Sequence, residues 1–129
     1  MIAMPASSSL NAEAVVARQL EAYNARDIEA FMVNWADDAR VFLFPETLLA
    51  SGADQIRARH IERFKEPKLF GHLLSRMVVD DVVVDRERVT RSFPDGPGTV
   101  EVIAIYEVVG GKIVKAWFKQ GQPVLDAKA

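Results

Sequence analysis

Apolar residues in the first half of the chain recur with the spacing of an α-helix. Three segments show this pattern, residues 11–24, 27–35 and 53–65, and each predicts a helix with one apolar side. The apolar stripes consist of Val16, Leu20 and Tyr23, then Ile28, Phe31, Met32 and Trp35, and then Ile56, His60 and Phe64. Asp27 suits the N-cap of the second helix, and residues 51–54 resemble a capping box that opens the third.

Beyond Pro67 the apolar period changes from that of a helix to the alternation that is typical of strands. The expected strands cover residues 40–44, 72–79, 82–93, 99–109 and 112–122. Asp80-Asp81 and Gly110-Gly111 suit two-residue hairpin turns, and residues 93–98 suit a longer turn. Helices followed by an antiparallel meander predict an α+β fold, with three N-terminal helices packed on one face of a curved sheet.

The last two strands predict that both faces of this sheet are apolar. With Val109 opposite Lys112, one face carries Glu101, Ile103, Ile105, Glu107, Val114, Ala116, Phe118 and Gln120. The opposite face carries Val100, Val102, Ala104, Tyr106, Val108, Ile113, Lys115, Trp117 and Lys119. Because helices cover one face only, the second apolar face needs another cover. A second copy of the chain in a homodimer is the simplest cover, and the chain's own tail is the alternative.

The composition is that of one ordinary globular domain. The chain has 129 residues, of which 50% are hydrophobic and 26% charged, and this length suits a single core. Residues 1–10 lack both periodicity and basic residues. We therefore expect a flexible N-terminal tail over residues 1–10 rather than a signal peptide, a single domain over residues 11–125, and a cytoplasmic location.

Charge and residue usage argue against several functions. The formal net charge of −2 disfavours a nucleic-acid binder. The apolar runs are far shorter than the roughly 20 residues of a membrane span. The chain has no cysteine and two histidines, so we expect no metal site and no cofactor. The basic residues between Arg57 and Lys68 are interrupted by Glu62 and Glu66, which indicates a solvated helix face.

Several short motifs occur in an order that resembles the nuclear-transport-factor-2-like superfamily. They are Ala22-Tyr23-Asn24-Ala25-Arg26-Asp27, Ala36-Asp37-Asp38-Ala39-Arg40-Val41, Gly52-Ala53-Asp54-Gln55-Ile56-Arg57, Ile105-Tyr106-Glu107-Val108 and Gly111-Lys112-Ile113 with Trp117. The closing motifs are similar to those of the SnoaL-like and ketosteroid-isomerase-like branches. The resemblance implies a cone-shaped roll, in which three helices and a strongly curved antiparallel sheet enclose an apolar pocket, in most cases within a homodimer.

The catalytic residues implied by the resemblance are not present in this sequence. Gln19 occupies the position of the isomerase tyrosine, and the two isomerase aspartates correspond to Leu43 or Phe44 and to Ala104 or Ile105. The acid that related cyclases and epoxide hydrolases carry on the last strand corresponds to Phe118. We therefore do not expect the ketosteroid isomerase mechanism, which uses an aspartate base with an oxyanion hole of a tyrosine and a protonated aspartic acid.

Another group of polar residues could supply acid–base chemistry. Across the Asp80-Asp81 turn, Arg76 is expected opposite Asp85, and Glu87 and His72 on the same face. Two carboxylates beside one arginine in an apolar pocket can differ strongly in pKa, so that one acts as general acid or base while the histidine shuttles protons. The alternative is a ladder of paired charges on the outer face, since a one-residue change in the turn would exchange these carboxylates for Arg86 and Arg88.

Other residues are candidates for contacting a ligand in the pocket. They are Gln19, Tyr23, Trp35, Glu101, Ile103 and Phe118. The helical spacing of Tyr23 and Trp35 favours the core over the cavity wall, and Glu101 could equally lie at a solvated strand end.

Two functions fit the whole pattern best. One is a cofactor-independent isomerase, hydrolase or cyclase that acts on a small apolar or oxygenated organic molecule through Asp85, Glu87, Arg76 and His72. The other is a non-catalytic ligand-binding or dimeric scaffold protein without the family's acids. A module that binds a protein partner is a third, less favoured alternative.

Overall fold

Helices at the start of the chain pack on a sheet formed mainly by its second half. The computed structural model describes the backbone of residues 5–126 and the side-chain surroundings of residues 12–126. The helices of this part are α1 (Pro5–Ala25), α2 (Ile28–Met32) and α3 (Ala53–Arg63). Its strands are β1 (Trp35–Leu43), β2 (Thr47–Ser51), β3 (Phe70–Val79), β4 (Val82–Phe93), β5 (Gly96–Val109), β6 (Lys112–Gln120) and β7 (Val124–Leu125). The predicted α+β class is confirmed.

The described strands form one curled, unclosed sheet. The order is β2-β1-β6-β5-β4-β3, and β7 pairs with β5 beyond the end of β6. β1 and β6 are parallel neighbours, so the sheet is mixed and not purely antiparallel as predicted. A parallel pair requires a long crossover, which the chain between β1 and β6 provides.

None of the helices in the described range is long and apolar enough to cross a membrane.

The core lies between the helices and the inner face of the sheet. Val16 of α1, Phe31 of α2 and Ile56 of α3 are completely buried there. Every second residue of β5 is buried, which places Val100, Val102, Ala104, Tyr106 and Val108 on the inner face.

The second helix is shorter than predicted, and Trp35 belongs to β1. The Asn34 side chain donates hydrogen bonds to the carbonyl oxygens of Ala30 and Phe31, which ends α2. The Ile113 N–H donates to the Asn34 carbonyl and begins the pairing with β6. Trp35 still contacts Phe31, with ring centroids 5.8 Å apart. The apolar spacing therefore identified a real contact but assigned it to the wrong backbone conformation.

Several boundaries also differ from the predictions. α1 begins at Pro5, a residue type that the first turn of a helix tolerates. Of the predicted tail, residues 5–10 are thus helical, and residues 1–4 lie outside the described part of the chain. β2 and β7 were not predicted because they are short and carry little alternation. The Asp80-Asp81 and Gly110-Gly111 turns are confirmed, since Val79 pairs with Val82 and Val109 with Lys112.

A β-bulge changes the predicted faces of β6. The register between β5 and β6 shifts between Glu107 and Val108, so that Ala116 lies opposite Tyr106 and Phe118 opposite Ala104. Phe118 therefore joins the inner face, whereas Ile103 and Glu101 remain on the outer face. A bulge inserts one extra residue into one strand, and every side chain beyond it changes face relative to an uninterrupted count.

Candidate functional site

Glu87 and Asp85 lie next to each other on the inner face of β4. Asp85 pairs with Ala104 and Glu87 with Val102, both of which are inner-face residues of β5. Asp85 is 0% exposed and Glu87 is 7% exposed. Of the two sheet faces that the sequence left open for these carboxyl groups, they occupy the one that faces the helices and not solvent.

Arg76 neutralises Asp85 with two hydrogen bonds. Its Nε and Nη2 atoms donate to the two Asp85 carboxylate oxygens at 2.7 and 2.9 Å. The two residues are opposite each other in the β3–β4 hairpin, as predicted. Such a bidentate pair uses both oxygens of an ionised carboxylate. Both Asp85 oxygens are thus occupied by Arg76, whereas Glu87 keeps one oxygen without a partner.

Glu87 has the properties of a proton-transfer group near neutral pH. Burial, followed by the negative charge of Asp85, raises the pKa of Glu87 to about 7, although Arg76 has a smaller opposite effect. Within the described residues, Glu87 Oε2 and Trp35 Nε1 are the buried side-chain polar atoms that have no hydrogen-bond partner. Trp35 is a core residue, whereas Glu87 borders a cavity. An orphaned oxygen at a cavity wall is available to a ligand.

The cavity beside Glu87 is small and largely apolar. Its volume is about 90 Å³, which is below the range of roughly 300–1,000 Å³ for sites that hold drug-sized ligands. The apolar lining residues are Leu20, Val41, Leu43, Leu49, Val89, Val100, Val102 and Phe118. Its exposed lining residues, Leu43, Arg59 and Gln120, mark the mouth. This volume fits a small organic molecule better than a steroid.

Tyr106 supplies a buried hydroxyl group to the same cavity. Burial raises the pKa of Tyr106 well above 10, and Glu87 and Asp85 add to the shift, while a hydrogen bond with Gln19 opposes it. The phenol therefore stays neutral and keeps its O–H donor. Gln19 is itself 4% exposed and lines the cavity.

His60 of α3 completes one wall of the cavity. Its Nδ1 lies 2.8 Å from the Ile56 carbonyl oxygen, so Nδ1 carries the proton in this contact. Burial lowers the pKa of His60 to about 4. The ring packs on Phe31, with centroids 4.3 Å apart, and is a neutral group near pH 7.

The structure brings together most of the predicted residues. Asp85, Glu87 and Arg76 form one cluster, and Gln19, Tyr23 and Phe118 line the cavity. Trp35 is buried in the core between Phe31 and Tyr106 and is not a lining residue. Glu101 is exposed and pairs with Arg86, and Ile103 is 44% exposed, so neither residue lines this cavity.

The predicted position of His72 in the β3–β4 register is wrong. The β3–β4 register shifts between Leu73 and Ser75, which places His72 opposite Arg88 instead of Val89. His72 is exposed and packs against Phe70, with ring centroids 4.6 Å apart. A shift of one residue turns the side chain to the outer face.

Sequence reasoning did not assign Tyr106, His60, Arg59, Arg63 and Arg91 to the site. The signal for α3 was present, because Arg59, His60 and Arg63 adjoin the apolar stripe of Ile56 and Phe64. The register of β4 decides whether the Arg91 side chain reaches the cavity, and the sequence does not specify that register.

Across the described part of the chain, no three histidine or acidic side chains come close enough to hold a metal ion.

The sequence of residues 16–116 matches the family model of the SnoaL-like domain. Because the match spans well over half of the 129 residues, the chain belongs to the SnoaL-like family. This confirms the resemblance that the motifs indicated. No curated protein sequence matches the chain significantly.

Solved structures share the fold. An uncharacterised cystatin-fold protein from Novosphingobium aromaticivorans has a TM-score of 0.76 at 25% identity, over 84% of this chain and 96% of that one. A candidate ketosteroid isomerase from Kribbella flavida has a TM-score of 0.76 at 14% identity, over 95% and 86%. AclR, a candidate hydroxylase from Streptomyces galilaeus, has a TM-score of 0.76 at 19% identity, over 88% and 81%. The range of these descriptions means that the fold alone selects no reaction.

Proposed function

We propose that the protein is a cofactor-independent isomerase of a small oxygenated organic molecule, and that Glu87 transfers the proton. The supporting observation is the unpartnered Glu87 oxygen at the wall of a small apolar cavity. A buried acceptor without a partner is unfavourable in the empty protein and becomes favourable when a substrate occupies the cavity.

Isomerisation suits a cavity with one carboxyl group. Among the described lining residues, Glu87 carries the sole carboxyl group, and its pKa is raised to about 7. A group with a pKa near the working pH removes a proton and returns it with similar ease. In an isomerase the same group does both, first as base at one carbon and then as acid at another.

The neighbouring residues have distinct roles in this proposal. After burial, the negative charge of Asp85 is the second cause that raises the pKa of Glu87, and the positive charge of Arg76, which holds Asp85 in place, has a smaller opposite effect. Tyr106 keeps its O–H and can donate a hydrogen bond to a substrate oxygen that becomes negative during proton abstraction. Phe118 and Val102 exclude water from the reacting groups.

Proton exchange in D₂O tests the proposal. We would incubate the protein with a panel of small β,γ-unsaturated and hydroxy ketones and follow isomerisation and deuterium uptake by NMR. Glu87→Gln keeps the shape of the side chain and should lower the rate about 100-fold or more. Glu101→Gln, an exposed residue of the outer face, is the control and should leave the rate unchanged. Equal rates for Glu87→Gln and the unmodified protein would contradict the proposal.

A non-catalytic binding protein is the second candidate function. The observation that favours it is the apolar character of Leu43 and Phe118, which line the cavity at positions where the family resemblance implies acids. Binding of panel compounds without turnover or deuterium exchange would support this candidate.

We also propose that the chain forms a homodimer through the outer face of the sheet. The cross-strand registers place apolar residues in one row across five strands. This apolar row consists of Met77, Val84, Ile105, Trp117 and Phe42. Met77 is 64% exposed, and charged residues flank the row on both sides, including the Arg86–Glu101 pair. A second copy provides the same apolar row as a complement.

Sedimentation equilibrium tests the dimer. Ile105→Lys places a charge in the middle of the apolar row and should yield monomers at concentrations where the unmodified chain is dimeric. Val33→Lys, an exposed position on the helical side, is the matched control. A monomeric unmodified chain would contradict the dimer. We also propose a cytoplasmic location.

A further inference from the structure

Three arginines line one wall of the cavity, and one of them, Arg59, lies at its mouth. Arg59 and Arg63 lie one turn apart on α3, and Arg91 reaches the cavity from β4. All three line the space that Glu87 borders. The cavity thus has a cationic wall and, elsewhere on its lining, an apolar middle and a proton-transfer group.

The carboxylates around this wall do not neutralise it. Glu66 accepts two hydrogen bonds from Arg91, at 3.1 and 2.6 Å, and lies 3.8 Å from Arg63. One carboxylate is therefore shared by two arginines. As far as the structure describes the chain, Arg59 forms no ion pair. Burial, followed by the charges of Arg63 and Arg91, lowers the pKa of Arg59, so these guanidinium groups repel one another.

The arginines other than Arg59 are held in place. Glu66 positions Arg91 and also accepts a hydrogen bond from the Ser92 N–H at 3.0 Å. The Tyr23 hydroxyl lies beside the Arg63 guanidinium. Arg91 directs Nε and Nη2 at Glu66, so the donors left for a planar anion in the cavity are its Nη1 group and the guanidinium groups of Arg59 and Arg63.

We propose that Arg59, Arg63 and Arg91 bind the carboxylate of the substrate, which is therefore a small organic acid with an apolar body and an oxygenated carbon near Glu87. The inference rests on the proposed function for the identity of the reacting end, but the carboxylate site stands on the geometry of the arginines alone. A carboxylate fits the small volume better than a phosphate ester does, and it adds the negative charge that the wall lacks.

Calorimetric binding of matched probes tests the carboxylate site. Phenylacetate and phenylacetamide have similar shape and differ in charge, and inorganic phosphate tests for a general anion site. We expect phenylacetate to bind at least about tenfold more tightly than the amide. Arg59→Gln should remove about tenfold of the phenylacetate affinity and leave the amide unchanged. Arg57→Gln is the control, because Arg57 lies on the same helix but pairs with Glu29 outside the cavity.

Four results would count against the carboxylate site. Equal binding of acid and amide, tighter binding of phosphate than of phenylacetate, no binding of phenylacetate at millimolar concentration, or equal losses in both arginine variants would overturn the proposal. Glu87→Gln separates the two proposals. A preference for the acid that persists in this variant supports the carboxylate site, whether or not the protein is an isomerase.

Discussion

Arg76 is needed mainly because Asp85 is buried. A buried carboxylate has lost its hydration, and the guanidinium replaces it with two short hydrogen bonds. Arg76 therefore holds the Asp85 carboxylate next to Glu87. The ion pair need not stabilise the fold more than two apolar side chains of equal volume would.

Substitution of Arg76 and Asp85 separates these effects. Arg76→Gln should lower the free energy of unfolding by about 3–5 kcal/mol, because Asp85 remains as an unpaired buried charge. The double variant Arg76→Met with Asp85→Leu should recover most of this loss. Urea denaturation measures both values. A double variant that is no more stable than Arg76→Gln would show that the ion pair itself stabilises the protein.

At the scale of residues, the sequence predicted the cluster of Asp85, Glu87 and Arg76 better than the arginines of the cavity wall. The grouping of Asp85, Glu87 and Arg76 on one face followed from strand alternation and a two-residue turn, which are local features, but the sequence left open which face of the sheet it is. His72 was misplaced because the register shift between Leu73 and Ser75 depends on how β3 fits against β4. Arg59 and Arg91 come from different elements, so their meeting depends on tertiary packing that no local pattern specifies.

At the scale of elements, α1 and the edge strand β3 are connected by one side chain. Asn24 donates to the Gly71 carbonyl oxygen at 3.0 Å and accepts from the Gly71 N–H at 2.7 Å. A Cβ atom at Gly71 would lie 3.2 Å from Leu20 and 3.3 Å from the Glu87 carboxyl group. Glycine thus permits β3 to approach both α1 and the site.

Loss of this connection should loosen β3. Asn24→Ala removes two hydrogen bonds and leaves the backbone groups of Gly71 unsatisfied, which should lower the free energy of unfolding by about 1–3 kcal/mol. Hydrogen exchange should accelerate in residues 70–76 before other strands. Glu21→Ala, at an exposed position on the same helix, is the control. Unchanged exchange in β3 would show that the connection has no stabilising role.

The elements themselves were predictable in proportion to their length and regularity. α3 and strands β3 to β6 followed from periodicity, with errors of a few residues at their ends. β1 was shortened because Asp37 and Asp38 interrupt its apolar pattern, although both are exposed residues of the strand. β7 contains two residues and forms only because Gly98 leaves room, since a Cβ there would collide with the Val124 backbone.

For the molecule as a whole, Glu87 and His60 give opposite dependences of stability on pH. The pKa of Glu87 rises from 4.5 to about 7 on folding, so folding binds a proton and stability falls as the pH rises through this window. The pKa of His60 falls from 6.5 to about 4, so folding releases a proton and stability rises with pH. Between pH 4.5 and 6.5 the two contributions largely cancel.

Single variants should reveal each contribution. Relative to the unmodified chain, the free energy of unfolding of Glu87→Gln should rise by up to about 3 kcal/mol as the pH rises from 4.5 to 7.5. Relative to the unmodified chain, the free energy of unfolding of His60→Gln should rise by a similar amount as the pH falls from 7 to 4. Urea denaturation across this range measures both, with exposed Glu101→Gln as control. Parallel pH curves for all four proteins would contradict the pKa shifts.

The position of Glu87 on a single wall of the cavity has a stereochemical consequence. A substrate bound between β4 and α3 presents one side to this carboxyl group, and the apolar lining around it leaves few water molecules to exchange with the transferred proton. An isomerase built on Glu87 would therefore take a hydrogen from one side of the substrate and return it to that same side. Part of the original hydrogen would remain in the product even in D₂O, and the new carbon–hydrogen bond would have a single configuration.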